Sequence, residues 1–540
     1  MRICQLSLAP RLMLRFALLI FFFPAALLPA DQNPCERCHA AEVKAFQRSS
    51  MSRSVSAVAS QPDGRVHHKL SGTTVTIRHD DQGGMLQHLV SDGLSAEYKV
   101  DYAVGAGKVG FSYVVSIPPF LFQSPVSFYS QEGVWDVTPG YEPERTLDFT
   151  HPIPEGCVFC HTNTANLRPG TDNQFNEPAL TPISCERCHG PSAAHLQKPV
   201  PGSIVNPVKL PDAARDSVCE QCHLEGEVRI LDPGKHWQNF VAGEETESVF
   251  STYLVRVPAN EGIKAVTQFE QLSLSRCARE SGGRLWCGTC HNPHSDATDR
   301  AKEVRTACLG CHAQLFTAQK HQPAEECVSC HMPRIRPNNI AHAAITSHVI
   351  ALPNIAAKAE SPQPGGVALS AWRSPRNGFA DRNLALAIFH VAAGKKDSSQ
   401  ILRAYEMLSH LRERDPEVLA TLGSILLGQG YGDLAVSLYR EAVGAAPNNA
   451  RYAFVLGSAY ASQGKRTAAI EELRRSISID PSSPDPYRKL AEIYEKAGAH
   501  TQSLEVIGEY LKFMPQNLEF RRAQLSNAAN QSVPNRRPGQ

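Results

Sequence analysis

Fourteen of the 16 cysteines stand in pairs spaced C-x-x-C, and in all seven pairs the next residue is histidine. The triads are Cys35/Cys38/His39, Cys157/Cys160/His161, Cys185/Cys188/His189, Cys219/Cys222/His223, Cys287/Cys290/His291, Cys308/Cys311/His312 and Cys327/Cys330/His331. A zinc knuckle needs four ligands from two pairs, so an odd number of pairs strands one. A disulfide is indifferent to the residue that follows it. Covalent attachment of haem c explains all three positions: two thiols add to the porphyrin vinyl groups, and the adjacent imidazole lies under the iron. Seven such groups between residues 35 and 331 leave about 42 residues each, below the roughly 50 of a small independent domain. The macrocycles are therefore expected to share one core and to pack close together.

The leader fits this chemistry. Arg2, Arg11 and Arg15 precede or enter the apolar run "LMLRFALLIFFFPAALLPA", which ends at Ala30. Residues 1–30 read as a signal peptide, and the mature chain as exported and periplasmic. A retained membrane anchor is the other reading of the run, with Arg15 inside it counting against a span. Cys4 leaves with the leader, and Cys277 in "SLSRCARE" is the one remaining unpaired thiol. A formal net charge of +1 gives no electrostatic pull toward nucleic acid or an anionic membrane.

The role of each iron depends on its second axial ligand: two strong ligands make an electron-transfer haem, and an open face makes a catalyst possible. Spare histidines for this purpose are His195 in "CHGPSAAH", His294 in "CHNPH", His348 and His342 in "NNIAHAAITSHVI", His321 ahead of "CVSCH" and His151 ahead of "CVFCH". Three residues span at most roughly 11 Å, too little for His294 to wrap round its own porphyrin, so as a ligand it serves a neighbouring site. His195 follows the same logic less tightly. Met51, twelve residues beyond His39 on what reads as the same helix, is a thioether alternative for the first site. His67, His68, His79 and His88 lie in strand-like sequence and His236 in a motif-free stretch, which makes them weaker choices.

The fold expected is mainly α, with a haem-packed, loop-rich region at 31–350 interrupted by a small antiparallel β-subdomain. "TTVTIRH", "MLQHLV", "AEYKVDYAV" and "GFSYVVSI" put that insertion at about 64–135. Residues 229–275 read as a surface insertion or interaction arm, and the Pro/Gly-rich stretch 351–380 as a linker. Beyond it, Leu422-Gly423, Tyr439 and Pro447, then Leu456-Gly457, Tyr460 and Pro481, then Leu490-Ala491, Tyr494 and Pro515 recur with the proline period of a tetratricopeptide repeat. Residues 382–415 read as a degenerate first repeat, 381–530 as the whole array with a polar-faced cap from 518, and 531–540 as a disordered tail.

Together "CERCHGPSAAH", "CGTCHNPHS", "CVSCHMP" and "GKVGFSYVV" resemble multihaem c-type cytochromes of the cytochrome c-552/c-554-like group, here joined to C-terminal tetratricopeptide repeats. The resemblance implies that His195 and His294 are distal ligands to other haems. Lysine replaces the motif histidine in the catalytic haem of pentahaem nitrite reductases, and in this chain it does so nowhere. Some members of the wider group carry electrons; others act on hydroxylamine, nitrite or tetrathionate. The leading expectation is an electron carrier with redox partner proteins and a repeat groove that holds a protein or peptide. An oxidoreductase for a small nitrogen or sulfur oxyanion at one open-face haem is the alternative.

Overall fold

The computed structural model describes residues 33–57, 61–163, 166–168, 171, 173–255, 263–296, 300–316, 327–351, 369–375 and 378–532. The leader at 1–30, His321, most of the linker and the tail from 533 lie outside the described residues.

The β-subdomain follows from alternation. Strands Gly64–His68, Thr73–His79, Met85–Ser91 and Leu94–Lys99 form an antiparallel meander in chain order. Every second residue points inward, which buries Val75, Ile77, Met85 and Leu89 almost completely. The turn Asp92-Gly93 has φ of 49° and 79°, the double left-handed geometry that closes a two-residue hairpin. A second antiparallel sheet joins Val55–Ser56, Tyr102–Val104, Ser112–Ile117 and Phe120–Gln123, beside the hairpin Val126–Tyr129/Val134–Val137. The strands thus run from 55 to 137, wider than the 64–135 expected.

All seven C-x-x-C-H motifs lie on or at the end of helices: Glu36–Phe46, Glu155–His161, Glu186–His189, Asp212–His223, Cys287–Cys290, Arg300–Phe316 and Cys327–His331. Within the first and sixth, the backbone leaves helical geometry at the motif histidine itself, His39 (φ −119°, ψ 42°) and His312 (φ −110°, ψ 25°). Around the helices of the fifth to seventh motifs the described side chains supply little core. Among the described residues from 270 to 350, the buried apolar side chains are Val304, Pro337 and Ala343.

Two expectations about the connecting segments need correction. The stretch 229–275 is a sheet rather than a surface arm, because Val228–Leu231 pairs with Phe250–Val255 and carries buried Ile230, Phe250 and Tyr253. The linker is not wholly a linker, since Leu369–Ala371 adds the third strand of that sheet. Ile230 and Tyr253 pack on Ala385, Leu386 and Leu422, so this sheet seats the first repeat helices.

The repeats are the helix pairs Ala380–Lys395/Ser398–Ser409, Pro416–Gly428/Gly432–Ala445, Ala450–Ser462/Arg466–Ile479 and Asp485–Lys496/His500–Phe513, followed by Leu518–Ser532. Gly423 lets the next helix approach: a Cβ there would lie 2.8 Å from the Tyr439 ring. The last helix is not a polar-faced cap. Its Leu518 and Phe520 are buried against Tyr510 and the β-subdomain, because Phe513 meets Phe120 and Phe122 with ring centroids 5.3 and 6.1 Å apart. Asp148, fully buried, accepts the Leu518 amide at 2.6 Å and so caps that helix from the β-side.

Candidate functional site

The seven motifs form one connected set. Cys35 and Cys185 interact through their thiols, joining the first motif to the third, and burial together with Cys185 pushes the Cys35 thiol up. Burial and then the neighbouring Cys219 push Cys188 up to about 12, so the third motif adjoins the fourth. Cys219 bonds Cys287 of the fifth motif, an interaction that with burial raises its thiol far above the usual range. On the other side of the fourth motif, Cys222 bonds Cys160 of the second; this holds Cys160 down at about 7 against its burial. Burial, then Cys327 and Cys290, raise Cys308 to about 11, linking the fifth, sixth and seventh. In chain numbering the row runs first, third, fourth, fifth, sixth, seventh, with the second branching from the fourth. None of the described cysteines forms a disulfide.

Cys38, Cys311 and Cys330 are exposed, as is Cys157, the first cysteine of the second motif, whereas the other motif cysteines are half-buried. The helix of Cys38 buries Val43, that of Cys311 buries Val304 among the described side chains, and that of Cys330 buries none. The Ser329 hydroxyl lies 3.9 Å from the Cys330 sulfur, a contact within the motif itself.

Three spare histidines stand opposite motif histidines of other sites. His195 faces His39 with ring centroids 6.5 Å apart, His294 faces His189 at 6.0 Å and His348 faces His291 at 6.2 Å. The spacing is too long for ring stacking contact and has a simple measure. An imidazole nitrogen bonds a first-row metal at about 2 Å, and bonds of about 1.35 Å put the ring centre roughly 1.2 Å behind it. Two imidazoles on opposite faces of one metal therefore have centres about 6.4 Å apart.

Hydrogen bonds aim these rings. His189 Nδ1 donates to the Val205 carbonyl at 2.8 Å, His331 Nδ1 to the Ala351 carbonyl at 2.8 Å and His348 Nδ1 to the Thr346 carbonyl at 3.1 Å. A carbonyl can only accept, so Nδ1 carries the proton and Nε2 keeps the lone pair a metal needs. His195 is held likewise: Ser203 Oγ gives its proton to the Val200 carbonyl and accepts His195 Nδ1–H at 2.8 Å. Burial also lowers the pKa of His161, His223 and His294, which favours the neutral, ligating form. The carbonyl partners of His189, His331 and His348 could not be found from the motifs, because a backbone acceptor leaves no sequence signature.

The remaining predicted ligands fall elsewhere. His342 has both ring nitrogens engaged, Nδ1 with Glu132 at 2.6 Å and Nε2 with Asp136 at 2.8 Å, and its hydrogen bonds to these carboxylates raise its pKa. It has no lone pair to offer. His151 stacks on Tyr141 with centroids 3.9 Å apart and points Nε2 at Glu144. Met51 opens a short 3₁₀ turn, and the ring opposite His39 is that of His195. Of the weaker set, His67 bonds Thr74, His68 bonds Ser71, His79 bonds Asp63 and His236 lies near Glu155. His88 is a strand residue paired with Thr76 and Glu97. Among the described residues, no three His, Cys, Asp or Glu side chains converge as a zinc site requires.

Residues 141–190 match the family model of cytochrome c554 and c-prime. This cytochrome c554-like region contains the second and third motifs, and the match implies covalently bound haem c. Residues 457–498 match a TPR repeat model. No curated protein matches the chain. Among solved structures, a crystal structure of MamA protein is 21% identical with a TM-score of 0.24, covering 28% of this chain and 87% of that one. YrrB, a TPR protein with an unusual peptide-binding site, is 18% identical with a TM-score of 0.24, covering 27% and 77%. The first TPR of Spaghetti (RPAP3) bound to an HSP90 peptide is 18% identical with a TM-score of 0.20, covering 22% and 97%.

Proposed function

We propose that the chain is a periplasmic seven-haem c-type cytochrome that carries electrons, with its repeats docking a protein partner. The observation that carries this reading is the set of three imidazole pairs, His39/His195, His189/His294 and His291/His348, each at the separation of two ligands on one metal. When bound, haem c supplies an iron centre that takes up and returns one electron. The fourteen paired cysteines anchor the porphyrins, and the seven following histidines provide the first axial bond. His195, His294 and His348 close second faces, which is what a carrier needs and a catalyst avoids. Their Nδ1 partners hold the rings in place through changes of charge.

The thiol contacts that link neighbouring motifs support a continuous path from the Cys35–His39 site to the Cys327–His331 site. The scarcity of buried apolar side chains from 270 to 350 supports porphyrins as the missing interior. The leader supports export to the compartment where oxidised thiols and haem attachment belong. The repeat array supports docking of a protein or peptide, the mode of recognition for stacked helix pairs.

A pyridine haemochrome assay on the purified full chain, paired with electron paramagnetic resonance of the oxidised protein, tests the reading. Seven equivalents with low-spin iron at the three paired sites are expected. A high-spin site that turns over nitrite or hydroxylamine would replace the carrier with an oxidoreductase, and far fewer equivalents would remove both.

A further inference from the structure

Three motifs meet at one point in the row, and two arginines lie there. Arg187, the second variable residue of "CERCH" in the third motif, donates from Nη2 to the Phe159 carbonyl inside the second motif. Its guanidinium lies 4.2 Å over the Phe159 ring. Arg229 caps the helix of the fourth motif, donating to the carbonyls of Gln221 at 2.9 Å, Glu220 at 3.0 Å and Leu224. The Gln221 carbonyl also accepts the Cys160 thiol at 3.5 Å. Arg229 and the Cys160 sulfur thus share one oxygen and cannot be farther apart than two hydrogen bonds.

These cations are poorly compensated. Among the described residues neither guanidinium has a carboxylate within ion-pair distance; Glu225 and Glu270 face Arg229 only at longer range. In both arginines Nε is buried and has no hydrogen-bond partner. A cation removed from water without a counter-charge is unfavourable, and guanidinium does not relieve itself by losing its proton. A neighbouring centre that gains an electron supplies the missing negative charge.

We infer that Arg187 and Arg229 raise the electron affinity of the Cys157–His161 and Cys219–His223 sites, so that electrons collect at this branch of the row. The inference rests on the haem reading of those two motifs. At an effective dielectric constant near 20 and a separation on the order of 10 Å, one fixed charge shifts the reduction equilibrium roughly tenfold, which is about 59 mV for a one-electron couple.

The experiment is a redox titration of the full chain, followed by visible absorbance, for the wild type, R187Q, R187K, R229Q and R229K, each with its haem count. The expected result is that each Gln variant moves part of the titration to lower potential by about that factor, while each Lys variant does not. Superimposable curves at equal haem count overturn the inference, as do equal shifts in the Gln and Lys variants, which would mark a packing role. If R229Q does not accumulate, R187Q carries the test, since Arg187 holds a single carbonyl. A wild type that lacks haem at these sites fails the underlying reading instead, and the count separates the two failures.

Discussion

Replacing His294 by alanine is the sharpest perturbation available, because its ring belongs to one site while its sequence position belongs to another. It lies three residues beyond His291 of the fifth motif, yet its ring stands 6.0 Å from that of His189 in the third, at an interplanar angle of 11°. The separation expected for two imidazoles on one metal is about 6.4 Å, so the difference is a few tenths of an ångström. On the proposed haem reading the variant loses one nitrogen ligand and no thioether. Haem count should stay at seven, and one iron in seven should become high-spin in the oxidised protein. The affected site should be the third. H294M returns a ligand of weaker donor strength and should restore low-spin iron at a higher potential.

H342A is the matched control. His342 is spent on Glu132 and Asp136, so its loss should leave the axial spectra untouched while loosening the contact between the 126–137 hairpin and the segment after the seventh motif. The measurement is electron paramagnetic resonance with haem stoichiometry on the same samples. A low-spin spectrum unchanged in H294A, or a perturbed fifth site with an intact third, would refute the pairing.

Other expectations follow from the packing. Burial pushes the Asp148 carboxyl up to about 6, against about 3.9 unfolded; between those values the folded state holds the extra proton, so stability falls as pH rises. The loss is about 3 kcal/mol once pH exceeds 6, and D148N should flatten that slope in urea unfolding. Gly423→Leu drives side-chain atoms into Tyr439 and should cost about 2 kcal/mol, read as a lower unfolding temperature of the repeats. Arg382 forms a two-pronged pair with Asp415 at 2.7 and 3.1 Å and also holds the Leu231 carbonyl. R382A leaves Asp415 uncompensated at a cost of about 3 kcal/mol, and limited proteolysis should then cleave between the sheet and the first repeat faster than in the wild type.

What could be read from the sequence was whatever repeats locally. The C-x-x-C-H triads and the helical repeat period need only neighbours a few residues away. That His294, as a ligand, could not serve its own motif was legible, because chain length alone forbids it. Its actual partner, His189, was not, since nothing local encodes which motifs adjoin. His342 and His151 were misplaced for a related reason. Glu132, Asp136 and Tyr141 lie in the β-subdomain, and only the tertiary fold brings His342 to two carboxylates some two hundred residues away. The polar composition after Leu518 hid the burial of Leu518 and Phe520, because a cap facing water and one facing a neighbouring sheet differ by only those two side chains.

The distribution of apolar side chains carries a last consequence. The β-subdomain and the final repeats share a core that includes Val75, Leu89, Phe122, Tyr510 and Leu518, and hydrophobic burial of that kind sustains a fold without any cofactor. The described residues from 270 to 350 bury only Val304, Pro337 and Ala343 among apolar side chains, far too little to offset the entropy of ordering such a stretch. Chain made without haem attachment should therefore split into two behaviours. The strands of 64–99 and the helices of 416–513 should keep slow amide exchange, while the fifth to seventh motif segments exchange at nearly unfolded rates. Haem attachment should then protect those segments and leave the frame almost unchanged. Equal protection of both parts in the haem-free chain would mean that side chains alone hold the motif region, and the porphyrins would no longer be needed as its interior.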